Sequence, residues 1–258
     1  MTVERGIEGR ERRRYDGTRD DLCSPELDEV AVEAPLEIRL SGEPLATTMR
    51  TPGDDPALVL GFLFAEGIVD SARQVGTIAH CGAPGDEGYG NVIEVTPGPG
   101  VTLDPERTRA TRRGTLVTAS CGVCGRASID DLLTRIPAVT QAPLDAAVLA
   151  AAPGVLASGQ PSFERTGSVH AAAAARADGS VLALAEDVGR HNAVDKVIGR
   201  LLRADQLADA RLLVVSGRVS FEIVQKAAVA GIGAVAAVSG PTTLAVDLAE
   251  RAGIVLAG

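Results

Sequence analysis

The chain has 258 residues, of which 45% are hydrophobic but only 2% aromatic, and it contains no Trp. Its core must therefore be built from Ala, Val, Leu and Ile, which suits stacked layers of helices and sheets, in one large domain or two smaller ones. The formal charge of −9 argues against a general binder of nucleic acids or anionic membranes, because phosphate neutralisation needs a basic face.

Residues 1–24 are predicted to be a flexible tail. Up to Asp21 they hold six Arg and six Asp or Glu, a composition typical of solvated, disordered segments. No apolar stretch follows this start, as a signal peptide would require, and no apolar run elsewhere is long enough to span a bilayer. We therefore expect a cytoplasmic protein without a membrane partner. In that compartment disulfide bonds are rare, so we expect reactive or metal-binding roles for the four cysteines, Cys23, Cys81, Cys121 and Cys124.

Residues 25–115 are predicted to form a small α+β domain. Two strands, in DEVAVEAPLEIRLSG and PLATTMRT, are separated by the turn signal SGE. A helix follows, with Asp55 as its N-cap, Pro56 in its first turn, and Leu58, Phe62 and Leu63 on its apolar face. Two further strands, in QVGTIAHCG and NVIEVTPG, complete a strand–strand–helix–strand–strand block.

Residues 116–126 contain the segment SCGVCGR and are predicted to be a mobile loop that carries Cys121 and Cys124. Structural zinc needs four ligands, and no second pair with the usual spacing is present. A dithiol oxidoreductase needs a more rigid turn than one with a glycine after each cysteine. Persulfide-based sulfur transfer fits this loop, since Arg126 and the next helix N-terminus favour the thiolate. On the motif alone, zinc binding, dithiol chemistry and an ordinary loop stay open.

Residues 127–258 are predicted to form an α/β domain. Helices at Ile129–Arg135 and Leu144–Leu156 precede two strands, in SVHAAAAARADGSVLALAED, that a turn at Asp178-Gly179 joins. Helices and strands then alternate, in the order NAVDKVIGRLL, RLLVVSG, SFEIVQKAAVAG, AVAAVSG, TTLAVDLAERAG and IVLAG. This alternation predicts a mostly parallel sheet covered by helices, with its ligand bound beyond the carboxyl ends of the strands.

The turn AEDVGRHN is the first of three polar turns at those strand ends. It brings Asp187, Arg190 and His191 to a helix start, where basic side chains and the helix dipole suit an anion or a nucleotide. A structural alternative stays open, in which Asn192 or Asp187 caps the helix and Asp195 and Lys196 lie on its solvated face.

The turn SGRVS is the second, with Ser216 and Arg218 before a helix that carries Lys226, and SGPTT is the third. None of them has the spacing of a P-loop. His170 lies in mid-strand among alanines, where a core role is commoner than a ligand role. A zinc deaminase would have Glu two residues after that His and a later Pro-Cys-x-x-Cys, but Ala172 stands there and no such motif follows.

Six segments resemble the FdhD family, the accessory sulfurtransferases of formate dehydrogenase. They are MRTPGDDPALVLGFLFAEGIV, SCGVCGRAS, TGSVHAAA, EDVGRHNAVDKVIG, SGRVSFEIVQKAAVAGI and PTTLAVDLAERAGIVLAG, which cover most of residues 33–258. The resemblance implies that residues 127–258 adopt a cytidine-deaminase-like, three-layer α/β fold without the deaminase zinc site, and that the protein is a homodimer. In the family a Phe- and Arg-containing segment follows, whereas this sequence ends at Gly258.

The resemblance also implies the activity. Members take sulfur from a cysteine desulfurase as a persulfide, here on Cys121 with Cys124 as its partner. They deliver it to the molybdenum cofactor, Mo-bis(molybdopterin guanine dinucleotide), before formate dehydrogenase becomes active; no structural metal is expected. The nucleotide-side contacts that we predict are Ser168, His170, Asp187, Arg190, His191, Ser216, Arg218 and Lys226, with Asp187 facing a guanine N–H edge. Two alternatives are a non-catalytic chaperone for the cofactor and, less favoured, a structural zinc protein.

Overall fold

The computed structural model of the chain describes residues 6–12, 25–86, 88–112, 136–140, 144–157 and 159–258. The strands are β1 Ile7–Arg12, β2 Glu26–Ala31, β3 Ala34–Leu40, β4 Glu43–Arg50, β5 Val75–His80, β6 Val92–Pro97, β7 His170–Ala175, β8 Val181–Asp187, β9 Leu212–Val215, β10 Ala234–Ala237 and β11 Val255–Ala257. The helices are α1 Asp55–Ala65, α2 Pro105–Arg112, α3 Ala146–Ala157, α4 Pro161–Thr166, α5 Arg190–Arg203, α6 Phe221–Val229 and α7 Thr243–Ala252. The predicted α+β class is confirmed.

The first sheet of the described residues has the strand order β4-β3-β6-β5. Strand β3 is antiparallel to β4 and parallel to β6, and β5 is antiparallel to β6. The predicted order of two strands, a helix and two strands is confirmed in β3, β4, α1, β5 and β6, but the start of the first predicted strand belongs to β2, which lies in another sheet. The turn between β3 and β4 uses Ser41 and Gly42, both with positive φ, as the SGE signal indicates.

The start of helix α1 differs from its prediction by one residue. Its N-cap is Asp54, not Asp55, and the Asp54 carbonyl accepts the backbone hydrogen bonds of Ala57 and Leu58 at 3.0 and 3.1 Å. The Asp55 carboxylate instead accepts two hydrogen bonds of 3.0 Å from the guanidinium of Arg50, in the core. A buried charge must be paired, and this pairing takes Asp55 away from capping.

Helix α1 is buried on nearly all sides because it lies between the first sheet and helix α5. Its sequence, ALVLGFLFA, is apolar all round, which is the pattern of a fully buried helix. Gly61 of α1 lies against the Asp195 carbonyl, and Gly199 of α5 lies against the Ala57 carbonyl, so that a Cβ at either glycine would overlap backbone atoms. The two helices therefore touch through their backbones.

The second sheet has the strand order β11-β10-β9-β7-β8. Strands β9, β10 and β11 are parallel, as predicted, whereas β7 is antiparallel to both β8 and β9. Only β7 runs opposite to the other four described strands, as the predicted hairpin at Asp178-Gly179 requires of one of its two strands. Gly179 has a φ of 84° in that turn.

The second sheet is the middle of three layers. Along β7, Ala171, Ala173 and Ala175 face helix α3, while Ala172 and Ala174 face the core that contains α5 to α7. This alternation is the period-2 pattern of a strand buried on both faces. The cytidine-deaminase-like assignment of this unit stays a prediction.

Residues 7–12 are not part of a flexible tail. They form β1, which pairs antiparallel with β2 from Ile7 opposite Ala31 to Arg12 opposite Glu26. Burial of Ile7 and the ion pairs of Arg12 with Glu26 and Asp28 hold this ribbon, because the acidic residues of β2 match the basic ones of β1. The predicted loop 116–126 and the predicted helix Ile129–Arg135 lie outside the described residues, and the domain division at 115 stays a prediction.

Candidate functional site

Four segments meet at one edge of the second sheet. Three follow the C-terminal ends of β8, β9 and β10, at residues 187–191, 216–220 and 238–242, and the fourth precedes β7, at residues 168–170. We call these four segments the rim. The second and third are joined by a hydrogen bond of 2.9 Å from the Thr242 amide to the Val219 carbonyl. The three predicted polar turns therefore form one continuous edge, as their positions after strands indicate.

His170 lies on the rim and not in mid-strand. It is the first residue of β7, and it pairs with Asp187 across the β7–β8 ladder. The antiparallel direction of β7 places its N-terminal end beside the C-terminal ends of β8 and β9. If β7 were parallel to β9, His170 would lie at the opposite edge of the sheet.

His170, Ser216 and Arg190 gather around Gly217. The Ser216 hydroxyl accepts a hydrogen bond of 2.9 Å from the Ala171 amide and lies 3.4 Å from His170 Nδ1. A Cβ on Gly217 would come within 3.3 Å of the His170 ring and 3.4 Å of Arg190 Cδ, so the glycine lets the three segments approach. Burial lowers the pKa of His170, and the nearby Arg190 charge lowers it further.

Arg190 Nε is a buried donor with no hydrogen-bond partner among the described residues. A buried donor that stays unpaired costs free energy, so this atom requires an acceptor from beyond the described residues, such as a ligand. Phosphate and carboxylate oxygens are the acceptors that a guanidinium prefers. This atom is the feature of the rim that most directly indicates an anionic ligand.

His191 is buried at the start of α5 and faces α6. Its Nε2 lies 2.8 Å from a Glu222 oxygen and 3.0 Å from the Ser220 hydroxyl. Burial lowers the pKa of His191, and the Glu222 carboxylate acts against that effect. Sequence patterns did not indicate Glu222, although its position two residues after the SGRVS turn could have done so.

The Asp187 carboxylate is fully buried, and groups of the protein itself already donate to both of its oxygens. One oxygen accepts hydrogen bonds from the Gly189 amide at 2.8 Å and Asn192 Nδ2 at 3.0 Å. The other accepts from Lys196 Nζ at 2.7 Å and the Thr51 amide at 3.2 Å. A carboxylate has about four acceptor sites, so none is left for a guanine edge. The predicted contact is corrected: Asp187 positions the loop that carries Arg190.

Thr51 is a residue of the site that the sequence did not reveal. It follows β4, and its hydroxyl accepts a hydrogen bond of 3.0 Å from the Val188 amide. Its carbonyl accepts a hydrogen bond of 3.0 Å from Lys196 Nζ. Lys196 is itself buried, so the solvated helix face considered above does not exist at this position. No spacing pattern links a threonine at 51 with a loop at 188.

Lys226 does not reach the rim. Its ammonium group lies 2.6 Å from the Asp195 carboxylate, and both side chains are buried. Burial disfavours the charged form of Lys226, but the nearby carboxylates of Asp195 and Glu66 outweigh that effect and raise its pKa. Because the charge of Lys226 is neutralised in the core, its predicted role as a ligand contact is corrected to a structural one.

Ser168 and Arg218 are exposed on the rim. The Ser168 hydroxyl donates a hydrogen bond of 2.8 Å to the Thr166 carbonyl. Arg218 adds a positive charge beside Gly217, so the rim is locally basic although the chain as a whole is acidic.

Cys121 and Cys124 lie outside the described residues, as does Cys23. Cys81 has a free thiol and is half-buried after β5. In the described parts of the chain, no group of three or more His, Cys, Asp or Glu side chains could hold a metal ion. No helix within the same parts is long and apolar enough to cross a membrane.

Comparisons with known proteins agree with one another. The model of the FdhD/NarQ family matches residues 31–258. A protein of Anaeromyxobacter dehalogenans named Sulfur carrier protein FdhD is 56% identical over 239 residues, which are 90% of this chain and 83% of that protein. A protein of the same name from Streptomyces avermitilis is 46% identical over 255 residues, which are 96% of this chain and 89% of that protein.

The fold has a solved counterpart as well. The crystal structure of a protein from Desulfotalea psychrophila, described as a formate dehydrogenase accessory protein, aligns with a TM-score of 0.74. The alignment covers 97% of this chain and 91% of that chain at 22% sequence identity, so it is a likeness of fold. Since the family model spans most of the chain and relatives share about half of its residues, the chain belongs to the FdhD/NarQ family.

Proposed function

We propose that the protein is a sulfurtransferase that carries persulfide sulfur on Cys121 from a cysteine desulfurase to the molybdenum cofactor, as formate dehydrogenase activity requires. The observation that carries this proposal is the 46–56% identity, over most of both chains, to relatives named sulfur carrier protein. The basic rim supports the second half of the proposal, because the cofactor is an anion.

Loading needs one displacement at sulfur. The Cys121 thiolate attacks the outer sulfur of the desulfurase persulfide, and the bond between the two sulfurs of that persulfide breaks. The desulfurase cysteine leaves as a thiolate, and Cys121 becomes the persulfide Cys-S-SH, so atoms and electrons balance without an oxidant. Arg126, five residues after Cys121, favours the attacking thiolate, and Cys124 is the proposed partner thiol.

The substrate that receives the sulfur is Mo-bis(molybdopterin guanine dinucleotide), which carries several phosphates and two guanines. Arg190, Arg218 and His170 are the rim residues that we assign to its phosphates. The buried, unpaired Arg190 Nε supports this assignment, since a phosphate oxygen would satisfy it. Ser168, Ser216 and His191 complete the proposed set, whereas Asp187 and Lys226 hold the structure behind it.

We further propose that the protein acts in the cytoplasm as a homodimer, with a cysteine desulfurase and formate dehydrogenase as partners. The description of the Desulfotalea protein as a formate dehydrogenase accessory protein supports the second partner. The free thiol of Cys81 is compatible with a reducing compartment, where thiols persist.

Intact mass spectrometry tests the proposed carrier. The protein is incubated with a cysteine desulfurase and cysteine, and its mass is measured before and after reduction, for wild type, Cys121→Ala and the matched variant Cys124→Ala. We expect wild type to gain the mass of sulfur, to lose it on reduction, and to gain none when Cys121 is replaced. Equal loading of wild type and Cys121→Ala would contradict the assignment.

The two alternatives give different outcomes in the same preparation. A non-catalytic chaperone for the molybdenum cofactor would take up no sulfur, and Cys121→Ala would still activate formate dehydrogenase. A structural zinc protein would contain stoichiometric metal and would unfold with a chelator. In our proposal Cys121→Ala abolishes activation while folding and nucleotide binding survive.

A further inference from the structure

Helices α5 and α6 carry two matched charge pairs. On α5, His191 and Asp195 are four residues apart and therefore lie on the same face of that helix. On α6, Glu222 and Lys226 have the same spacing and likewise share a face. Across the helices, His191 Nε2 lies 2.8 Å from Glu222, and Lys226 Nζ lies 2.6 Å from Asp195. We call these four residues the charge square. Its His191–Glu222 side borders the rim, and its other side is in the core.

The Glu222 contact determines which nitrogen of His191 carries the proton. A carboxylate only accepts hydrogen bonds, so Nε2 must donate, and Nδ1 of the neutral ring is left unprotonated. The Ser220 hydroxyl, 3.0 Å from the same nitrogen, is compatible with this arrangement because it can accept as well. The side chains of His191 and Glu222 are only 11% and 16% exposed, so water competes weakly for these bonds.

The groups around His191 shift the pKa of its ring in opposite directions. Burial is the main cause of its lowered pKa, the Glu222 carboxylate raises it, and Lys226 and Arg190 lower it again. On the core side, Asp195 lies 2.6 Å from Lys226 and, while ionised, weakens the repulsion between Lys226 and a protonated ring. From β7, the neighbouring His170 interacts with His191 in the same repulsive sense. Glu222 is thus the group that favours the imidazolium form.

We propose that Glu222 is a positioning residue for the nucleotide site, which holds His191 in the Nε2–H tautomer and sets the charge that His191 presents to a bound phosphate. The inference rests on the proposed function, since the phosphate belongs to the proposed cofactor. It follows that nucleotide binding tightens as the pH falls, because an imidazolium beside Arg190 adds a positive charge to the rim.

The first test is a titration by NMR of the histidine rings, of which the chain has three. With imidazole nitrogens labelled, we expect wild-type His191 to be the Nε2–H tautomer at neutral pH. In Glu222→Gln we expect its protonation to move to lower pH, whereas the matched variant Ser220→Ala, which keeps the carboxylate, should titrate nearly as wild type does. A wild-type ring protonated on Nδ1, or an unchanged titration in Glu222→Gln, would overturn the inference. The wild-type measurement decides even if a variant does not fold.

The second test measures guanosine diphosphate binding by calorimetry between pH 8 and about pH 5, because burial lowers the pKa of His191 from the ordinary histidine value of about 6.5. We expect wild type to bind severalfold tighter at the acidic end and Glu222→Gln to need a lower pH for the same gain. Wild-type binding with an identical pH dependence in Glu222→Gln would overturn the inference. No wild-type binding at any pH would instead contradict the proposed nucleotide site, and the NMR result would still decide the role of Glu222.

Discussion

Among the described residues, the charged side chains that are buried as a whole are paired with opposite charges. The fully buried pairs are Arg50–Asp55, Asp187–Lys196 and Asp195–Lys226. Removing one member of such a pair leaves the other charge uncompensated away from water, which costs more than the pair itself contributes. Single substitutions at these positions are therefore expected to be severe.

Asp55→Ala is the sharpest of these substitutions. It would leave Arg50, which is only 1% exposed, without its two 3.0 Å hydrogen bonds. We expect the free energy of unfolding to fall by about 3–5 kcal/mol in urea denaturation. Asp209→Ala is the control, because its ion pair with Arg176 is exposed and is expected to contribute about 1 kcal/mol or less. Equal effects of the two substitutions would contradict this interpretation.

Asp195 gives the protein a specific pH dependence. Burial raises its pKa to about 6, from 3.8 in the unfolded chain, although Lys226 acts against this. The folded state therefore binds the proton more tightly, so the contribution of Asp195 to stability is largest below pH 3.8 and is lost as the pH rises through 6. This loss is at most about 3 kcal/mol, since one pKa unit corresponds to about 1.4 kcal/mol.

Comparison of wild type with Asp195→Asn isolates that contribution from those of other carboxylates. Urea denaturation of both proteins at a series of pH values gives the difference in their free energies of unfolding. As the pH rises from 3.8 to about 6, we expect wild type to lose stability relative to Asp195→Asn. A difference that is flat with pH would show that Asp195 does not titrate in this range.

At the scale of elements, the crossing of α1 and α5 depends on two glycines. A Cβ at Gly61 or Gly199 would overlap a backbone carbonyl of the other helix, and backbone cannot rotate away as a side chain can. We expect Gly61→Ala and Gly199→Ala each to destabilise the protein by about 3 kcal/mol or more, or to prevent folding.

Gly154→Ala is the matched control for these two substitutions. Gly154 also lies within a helix, α3, but nothing stands within 4 Å of the position that its Cβ would take. Alanine is the better helix former, so we expect this variant to be unchanged or up to about 1 kcal/mol more stable. Thermal unfolding monitored by circular dichroism compares the three variants. Similar melting temperatures for all of them would refute the proposed backbone contact.

At the scale of the whole molecule, both sheets share one apolar core. Leu36, Leu58, Val197 and Val235 come from the first sheet, α1, α5 and the second sheet, and they belong to one contiguous cluster of buried residues. We therefore expect one cooperative unfolding transition rather than two. Hydrogen exchange of the native protein would measure this: amides of α1 and α5 should exchange with the same free energy of opening. Clearly separate values would contradict a shared core.

Local patterns in the sequence predicted most elements of the described chain. The alternation in PLEIRL and VIEV indicates β3 and β6, and the turn signals at 41–42 and 178–179 lie where the structure has its turns. The polar turns after β8, β9 and β10 were identifiable because hydrophobic periodicity ends there. The cysteine motif at 121–124 could be interpreted chemically, since its two cysteines are close in sequence.

Long-range partners could not be predicted in the same way. Nothing near Asp187 indicates that Thr51, 136 residues away, donates to its carboxylate, and nothing near Lys226 indicates Asp195. Likewise, His170 lies on the rim and not in mid-strand because β7 begins at His170 and runs antiparallel to β9. These errors all concern which side chains are free to meet a ligand.

The sequence by itself thus determined the class of fold, the order of elements, the polar turns and the thiol motif. Each of these depends on spacings of a few residues, which the 3.6- and 2-residue periods of helix and strand make visible. Only the tertiary structure decided which charged groups pair with each other and which group, as Arg190 Nε among the described residues, has no hydrogen-bond partner. That outcome depends on desolvation and on contacts such as the one between Thr51 and Asp187, 136 residues apart, which no local pattern encodes.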